Sequence, residues 1–207
     1  FDTIELPLDA FKAAAKAVEG SINDCFLSGL IGGFRRYHEE MGVAVKEMPI
    51  GFPISLRTGD DPMGGNKFAG SQYASPVAEK DPVERIRHIQ RFVRETRAEP
   101  ALDVMIRLTP VLSRLPMSAV TPLMSGFTAA QDAQISNIPG IPHAVYLAGA
   151  EVTHYWPFAP APGCGMMIAM LSHNGRCCIC INSDSAAVTE PELLVACLRE
   201  GLDEVLA

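Results

Sequence analysis

Asn174-Gly175 stands between two apolar runs, Met166-Met-Ile-Ala-Met-Leu-Ser172 and Arg176-Cys-Cys-Ile-Cys-Ile-Asn182. Both central residues of a tight hairpin turn take positive φ, which Asn-Gly accepts at least cost, so the dipeptide predicts a β-hairpin. The flanking runs are nearly continuous in apolar residues instead of alternating. Strands of that kind are covered on both faces and belong inside a sheet. Upstream, Ile135-Ser-Asn-Ile-Pro-Gly140 is a short apolar run stopped by a Pro-Gly turn. Val145-Tyr-Leu-Ala-Gly-Ala-Glu-Val-Thr-His-Tyr-Trp156 is dense in β-branched and aromatic residues. The stretch 135–185 therefore reads as the central strands of one sheet. It places His154 and Trp156 in a strand just before a Pro/Gly connection over 157–165.

The rest of the chain supplies cover for that sheet. Phe1-Asp-Thr-Ile-Glu-Leu-Pro7 alternates and reads as a short strand, and 8–18 has helical spacing ended by Gly20. Ser21-Ile-Asn-Asp24 opens the longest helix, with Phe26, Leu30, Phe34, Tyr37 and Met41 on one stripe. Gly29, Gly32 and Gly33 lower its propensity by about 1 kcal/mol each, which predicts a second backbone packed close along that side. Arg35, Arg36, Glu39 and Glu40 form its expected solvated face. Two prolines hold 48–56 extended, and 67–75 returns as a second strand after a polar, Gly-rich loop. Asp81-Pro-Val-Glu84 starts a helix to about Arg97, with Val83, Ile86, Ile89 and Val93 inward and its arginines outward. The Pro-broken stretch 100–130 reads as apolar helices that face the core, line an apolar channel or touch a membrane surface. Thr189-Glu-Pro-Glu192 caps a last helix over 193–206. The fold class is α/β, a mixed central sheet flanked by helices.

Composition narrows the function classes. A net charge of -7 argues against a nucleic-acid surface, which is normally basic. No apolar run approaches the ~20 residues of a membrane span, and no signal peptide is visible. The chain starts at Phe1, which suggests a piece of a longer protein. The six cysteines are Cys25, Cys164, Cys177, Cys178, Cys180 and Cys197. On a strand, Cys177 faces away from Cys178 and Cys180, and no C-x-x-C spacing exists, so buried thiols are expected and no metal site. Gly59 to Gly65 lacks the Gly-Lys-Ser/Thr ending of a phosphate loop.

Several stretches together resemble one family. They are Ser21-Ile-Asn23-Asp24-Cys-Phe-Leu27, Met48-Pro-Ile-Gly-Phe-Pro-Ile-Ser-Leu-Arg57 followed by Gly65-Asn66-Lys-Phe68, and Ile135-Ser136-Asn137-Ile-Pro139-Gly140 with Tyr146-Leu-Ala-Gly149. Asp81-Pro-Val-Glu-Arg-Ile86 and the late hairpin extend the likeness over almost the whole chain. The order and spacing resemble the C-terminal half of the bacterial wax ester synthase/diacylglycerol acyltransferases. The resemblance implies one lobe, residues 1–207, of the two-lobed CoA-dependent acyltransferase fold, with a substrate tunnel between the lobes. It implies transfer of a fatty acyl group from acyl-CoA to diacylglycerol or a long-chain alcohol, with acyl-CoA as substrate and no bound cofactor. The implied partners are an N-terminal lobe carrying the catalytic His of an HHxxxDG motif, acyl-CoA and a lipid acceptor. A cytoplasmic location follows, with possible peripheral contact at the inner membrane or lipid droplets.

That motif is absent here, as is the family's Pro-Leu-Trp. His38, His88, His143, His154 and His173 are scattered, and none is followed by the required Asp-Gly. The group that takes the proton from the attacking hydroxyl is therefore not in this chain, which alone is expected to be inactive. A different class of function stays open: a non-catalytic acyl-chain- or partner-binding lobe of an inactive paralogue. Four residues carry the candidate site. Asn23 and Asp24 match the family's Asn-Asp motif and would orient the catalytic loop of the other lobe; Ser21 with Asp24 equally reads as a capping box. Ser136 and Asn137 could donate to the oxyanion formed during acyl transfer, or simply satisfy a tight turn.

Overall fold

The computed structural model describes residues 1–55, 68–99, 114, 116–118, 130–161 and 163–207. The element order is β1 Asp2–Pro7, α1 Leu8–Ala17, α2 Ile22–Glu40, β2 Met48–Ser55, β3 Phe68–Ser75, α3 Pro82–Arg97, β4 Ala133–Ile138, β5 Tyr146–Leu147, β6 Ala150–Glu151, β7 Met166–His173, β8 Arg176–Ser183 and α4 Pro191–Leu206. Six strands form one mixed sheet in the order β1-β8-β7-β4-β2-β3. The β7–β8 hairpin turns at Asn174 and Gly175, with φ 44° and 82°, as the sequence requires. β8, β7 and β4 are interior strands, so the apolar runs lie where covered strands belong. The polar loop 59–65 and the apolar stretch 100–127, apart from Arg114 and residues 116–118, lie outside the described residues. No helix among the described residues is long and apolar enough to cross a membrane.

One face of the sheet carries the helices and the core. Ile4, Ile50, Phe52, Ile135, Ile168, Met170, Cys177, Ile179 and Ile181 meet Phe11, Phe26, Leu30, Phe34, Ile86, Ile89, Leu198 and Leu202. α2 is buried from Asp24 to Phe34 all round, more than one stripe predicts, because α3 and α4 both pack on it. Met41, at the end of the expected stripe, is exposed. The glycines explain the closeness. A Cβ on Gly201 would stand 2.3 Å from the Gly29 carbonyl oxygen, and one on Gly33 2.6 Å from the Leu198 Cα. The α2–α4 crossing thus admits no side chain at its centre.

The opposite face is covered differently. The stretch 145–156 is not a central strand: Tyr146–Leu147 and Ala150–Glu151 make a small separate hairpin turned at Ala148 and Gly149. β4 pairs directly with β7 in parallel, from Ala133↔Met166 to Ile138↔Leu171, which leaves no place between them for another strand. Parallel neighbours need a long crossover, and here the segment 139–165 serves, with no helix among its described residues. After the hairpin, the chain runs as an extended strap over β7 and β8. His173 Nε2 holds the Val152 carbonyl at 2.9 Å, and Asn182 Nδ2 donates to the Ala159 carbonyl at 2.9 Å. His154 and Trp156 therefore lie on this strap, their rings stacked 5.6 Å apart. Cys178 and Cys180 are buried on this face, opposite Cys177. Burial, with the charge of Cys178 adding, pushes the Cys177 thiol up to about 12, so it stays an apolar packing group.

Polar details also depart from expectation. Arg85 on α3 does not face solvent; it is fully buried. Its Nε donates to Ser28 Oγ at 3.3 Å and its Nη1 to the carbonyls of Glu79 and Lys80, while its Nη2 pairs with Glu204 on α4. Arg36 completes the group, with Nη2 3.0 Å from Glu204 Oε1, so neither Arg35 nor Arg36 is an ordinary solvated side chain. Gly32 makes room for the guanidinium; a Cβ there would stand 2.7 Å from Arg85 Nη2. Burial lowers the Arg85 pKa, with Glu204 opposing. Burial works to raise the Glu204 carboxyl, but hydrogen bonds and charge from Arg36 and Arg85 outweigh it and hold it below the ordinary range. Asp81 caps α3 through the Val83 N–H, with Pro82 in the first turn, whereas Glu84 turns to Arg87 and Val83 lies exposed. α4 begins at Pro191 after Glu190 with no side-chain cap, because Glu190 is not in capping contact and Thr189 lies outside the helix.

Candidate functional site

α2 starts at the edge of the sheet where β2 and β4 end. Ser21 is its N-cap: Ser21 Oγ accepts from the Asp24 N–H at 3.1 Å, and Asp24 Oδ2 accepts from the Ser21 N–H at 2.8 Å. The capping box expected from the sequence is therefore formed. It buries Asp24 and fixes the first turn of α2. Beside it, α3 brings Gln90, Val93, Arg94 and Arg97 along one side, a spacing of three, four and seven residues that shares one helix face.

These elements enclose an open cleft of about 490 Å³. Gly20, Ser21, Asn23 and Asp24 form one wall, the end of β2 from Phe52 to Ser55 another, and Asn137 of β4 reaches in from the sheet. Three of the four candidate residues, Asn23, Asp24 and Asn137, thus share one cavity although 113 positions separate Asp24 from Asn137 (137 − 24). Ser136 is not among them. Its register partner is Ala169, outside the helix-side core, while Ile135 and Asn137 pair with the core residues Ile168 and Met170. Strand alternation therefore turns Ser136 to the strap side of the sheet.

Behind the cleft lies an aromatic group. Phe52 meets Tyr73 edge-on at 6.1 Å and Phe92 at 5.9 Å, and Tyr73 and Phe92 stand 4.6 Å apart. Burial, opposed by the charge of Arg91, pushes the Tyr73 phenol up to about 12, so it stays protonated. Cys25, next to Asp24, is pushed up to about 11 by burial and then by the Asp24 charge, which removes it as a nucleophile. The described residues that line the cleft supply amides, guanidinia, the Glu19 and Asp24 carboxylates and a capped helix start, but no imidazole. Its amides and guanidinia can bind and polarise an oxygen. Among the described residues, no group of three His, Cys, Asp or Glu side chains could hold a metal.

The end of β4 is held firmly. The Gly140 N–H donates to Ser172 Oγ at 3.3 Å, and a Cβ on Gly140 would lie 1.9 Å from the Ser172 carbonyl oxygen. Sequence reasoning missed Phe52, Gln90, Arg94 and Arg97 as cleft residues. The helical spacing of the last three was visible, but which face of α3 meets α2 was not.

A family model for the WS/DGAT C-terminal domain matches residues 64–205. The chain belongs to this family. A Mycobacterium tuberculosis protein provisionally named a diacylglycerol O-acyltransferase is 41% identical over 206 residues, which cover 100% of this chain and 42% of that protein. A Mycobacterium bovis protein with a name of the same kind is 28% identical over 212 residues, 99% of this chain and 44% of its own length. This WS/DGAT C-terminal domain therefore spans about two fifths of the curated relatives it matches. Among solved structures, a wax ester synthase/diacylglycerol acyltransferase from Marinobacter aquaeolei superposes with a TM-score of 0.70 at 15% identity, over 98% of this chain and 47% of that one. A condensation domain that releases the chain from the enacyloxin polyketide synthase gives 0.59 at 15% identity, over 99% and 40%. At such identities the likeness is one of fold, and the mixed α/β architecture read from the sequence is the one these structures share.

Proposed function

We propose that this domain, over residues 1–207, is the C-terminal lobe of an acyl-CoA-dependent O-acyltransferase that esterifies diacylglycerol or a long-chain alcohol. Its partner is an N-terminal lobe carrying the HHxxxDG histidine, and the two lobes bound a substrate tunnel. The observation that carries this reading is the cleft that gathers Asn23, Asp24 and Asn137, with no imidazole among the described residues that line it. Such a half-site suits a reaction whose base arrives from elsewhere.

In that reaction an alcohol oxygen attacks the thioester carbonyl while an imidazole removes its proton. The tetrahedral oxyanion then collapses, the C–S bond breaks, and the CoA thiolate leaves and takes a proton. Asn137 is suited to donate to the oxyanion, since its amide stands at the end of a fixed strand and on the cleft side. Asp24, spent on its own cap, holds the first turn of α2 so that Asn23 and the adjacent N–H groups meet the catalytic loop of the other lobe. Ser136 is turned to the other face and takes no part in this proposal.

An acyltransferase assay tests it. The chain joined to its preceding half should form esters from acyl-CoA with diacylglycerol or a fatty alcohol, and the chain by itself should form none. Ester formation by the 207 residues alone, or a preceding half without an intact HHxxxDG, overturns the proposal.

A further inference from the structure

We infer that Gln131, Gln134 and Ser136, on the face of the sheet opposite the helices, hold the alcohol acceptor and select diacylglycerol over a long-chain alcohol. The inference rests on the acyltransferase reading and decides between the two acceptors which that reading leaves open.

Strand alternation brings the three side chains together. Ala133 and Ile135 belong to the helix-side core, so Gln134 and Ser136 stand on the other face of β4. Gly51 lies between the core residues Ile50 and Phe52 and is the register partner of Gln134, so it opens to the same face. Gln131 covers it: a Cβ on Gly51 would stand 1.9 Å from Gln131 Oε1 and 2.7 Å from its Nε2. Gln131 is 3% exposed, and neither end of its amide has a hydrogen-bond partner among the described residues. Gln134 and Ser136, half-buried on β4, have none among them either. The strap's two bonds go to His173 of β7 and Asn182 of β8 and leave β4 aside.

A buried amide left unpaired is costly, and a ligand that pairs it removes the cost. Two amides and a hydroxyl offer N–H and O–H donors here. Diacylglycerol brings two ester carbonyls to accept from them. A long-chain alcohol brings, besides its reacting hydroxyl, only methylenes, against which the buried donors stay unpaired. Unpaired polar groups discriminate between substrates more strongly than the fit of an apolar pocket does. Apolar side chains flank the polar group: Met167 is the register partner of Gln134, and Ile138, 42% exposed, follows Ser136 on the same face. Esters set between alkyl chains match that order. The site also adjoins the cleft. β2 and β4 pair only at Ile50↔Ala133 and Gly51↔Gln134, and the residues just past that point, Phe52 to Ser55 and Asn137, line the cleft. Ser136 and Asn137 are neighbours on β4, one toward each face, so an ester held at Ser136 lies one residue from the amide proposed for the oxyanion. The competing explanation is that Gln131 only fills the space above Gly51, with water meeting its amide.

Turnover and calorimetry on the full-length protein, with dioctanoylglycerol and 1-decanol as the two acceptors, decide the matter. In Gln131→Leu, kcat/KM for dioctanoylglycerol relative to 1-decanol should fall at least about fivefold, as expected for one lost hydrogen bond, with KM for acyl-CoA unchanged. Gln134→Leu/Ser136→Ala, at half-buried positions that folding tolerates, should move the ratio the same way, and it decides alone if Gln131→Leu does not fold. A ratio unchanged or raised overturns the inference. So do equal losses for both acceptors, which would leave the three residues to packing. Dioctanoylglycerol binding that weakens about fivefold in the variants, with no ester formed from either acceptor by the wild type, would sink the acyltransferase reading alone. Ester formation with a ratio indifferent to the three residues would sink this site alone. Neither ester nor binding would sink both.

Discussion

The protein holds two arginine–carboxylate groups that differ chiefly in where they sit. On the helix side, Arg85, Glu204 and Arg36 tie α2, α3 and α4 together around a guanidinium with no exposed surface. On the strap side, Glu5 of β1 receives Arg176 Nη1 at 2.6 Å and meets His154 Nε2 at 2.9 Å, all three partly exposed. Burial raises the Glu5 carboxyl, and bonds from His154 and Arg176 outweigh it, so the direction of shift matches that of Glu204. The energetic meaning does not match. A buried guanidinium stripped of its partner keeps its full desolvation cost, whereas an exposed one turns to water. The first group specifies how three helices meet; the second only trims the path of a strap.

The largest effect should come from Glu204→Ala, which strips the buried Arg85 guanidinium of its carboxylate. A loss of about 3 to 5 kcal/mol in denaturant unfolding is expected. A loss under about 1 kcal/mol would erase the distinction between the two groups. Glu204→Gln should cost somewhat less, about 2 kcal/mol, and should also change the response to acid. Because the folded carboxyl is held below its ordinary value, its stabilisation is complete above about pH 4.3 and is lost as pH falls through the folded value. Melting temperatures taken from pH 7 down to 3 should therefore fall less steeply in the variant.

Asp24→Ala sits between the extremes, at about 1 kcal/mol for a lost cap. Assayed in the full-length protein, it should reduce turnover by more than that loss explains; equal losses leave Asp24 as a cap alone. Glu5→Gln should change stability by less than about 1 kcal/mol, and added salt should shrink the difference further.

Much of this was legible before the fold was known. The hairpin at Asn174-Gly175, the interior strands, the capping box of Ser21 and Asp24 and the glycine crossing of α2 follow from local rules, because turn chemistry and backbone closeness are written in adjacent residues. The strap was misread because β-branched and aromatic density marks any extended segment that half-buries itself, and not only a strand in a ladder. Arg85 was misread because its periodicity on α3 is that of a solvated arginine; only the space left by Gly32 and the acceptors at Glu79, Lys80 and Glu204 turn it inward. Asn23, Asp24 and Asn137 were nameable one by one, but the cleft that joins them depends on how β2, β4 and α2 end together, which no local spacing encodes. Ser136 and Asn137 looked equivalent as neighbours, and the pleat of β4 sends them to opposite faces.

Gly140 has a consequence for Asn137. Three positions after the amide, the backbone passes so near the Ser172 carbonyl that the two strand ends cannot slide past one another. The path of the backbone that carries Asn137 is thus decided when the protein folds. Under the proposed reading, Asn137 would meet the oxyanion from a backbone already in place.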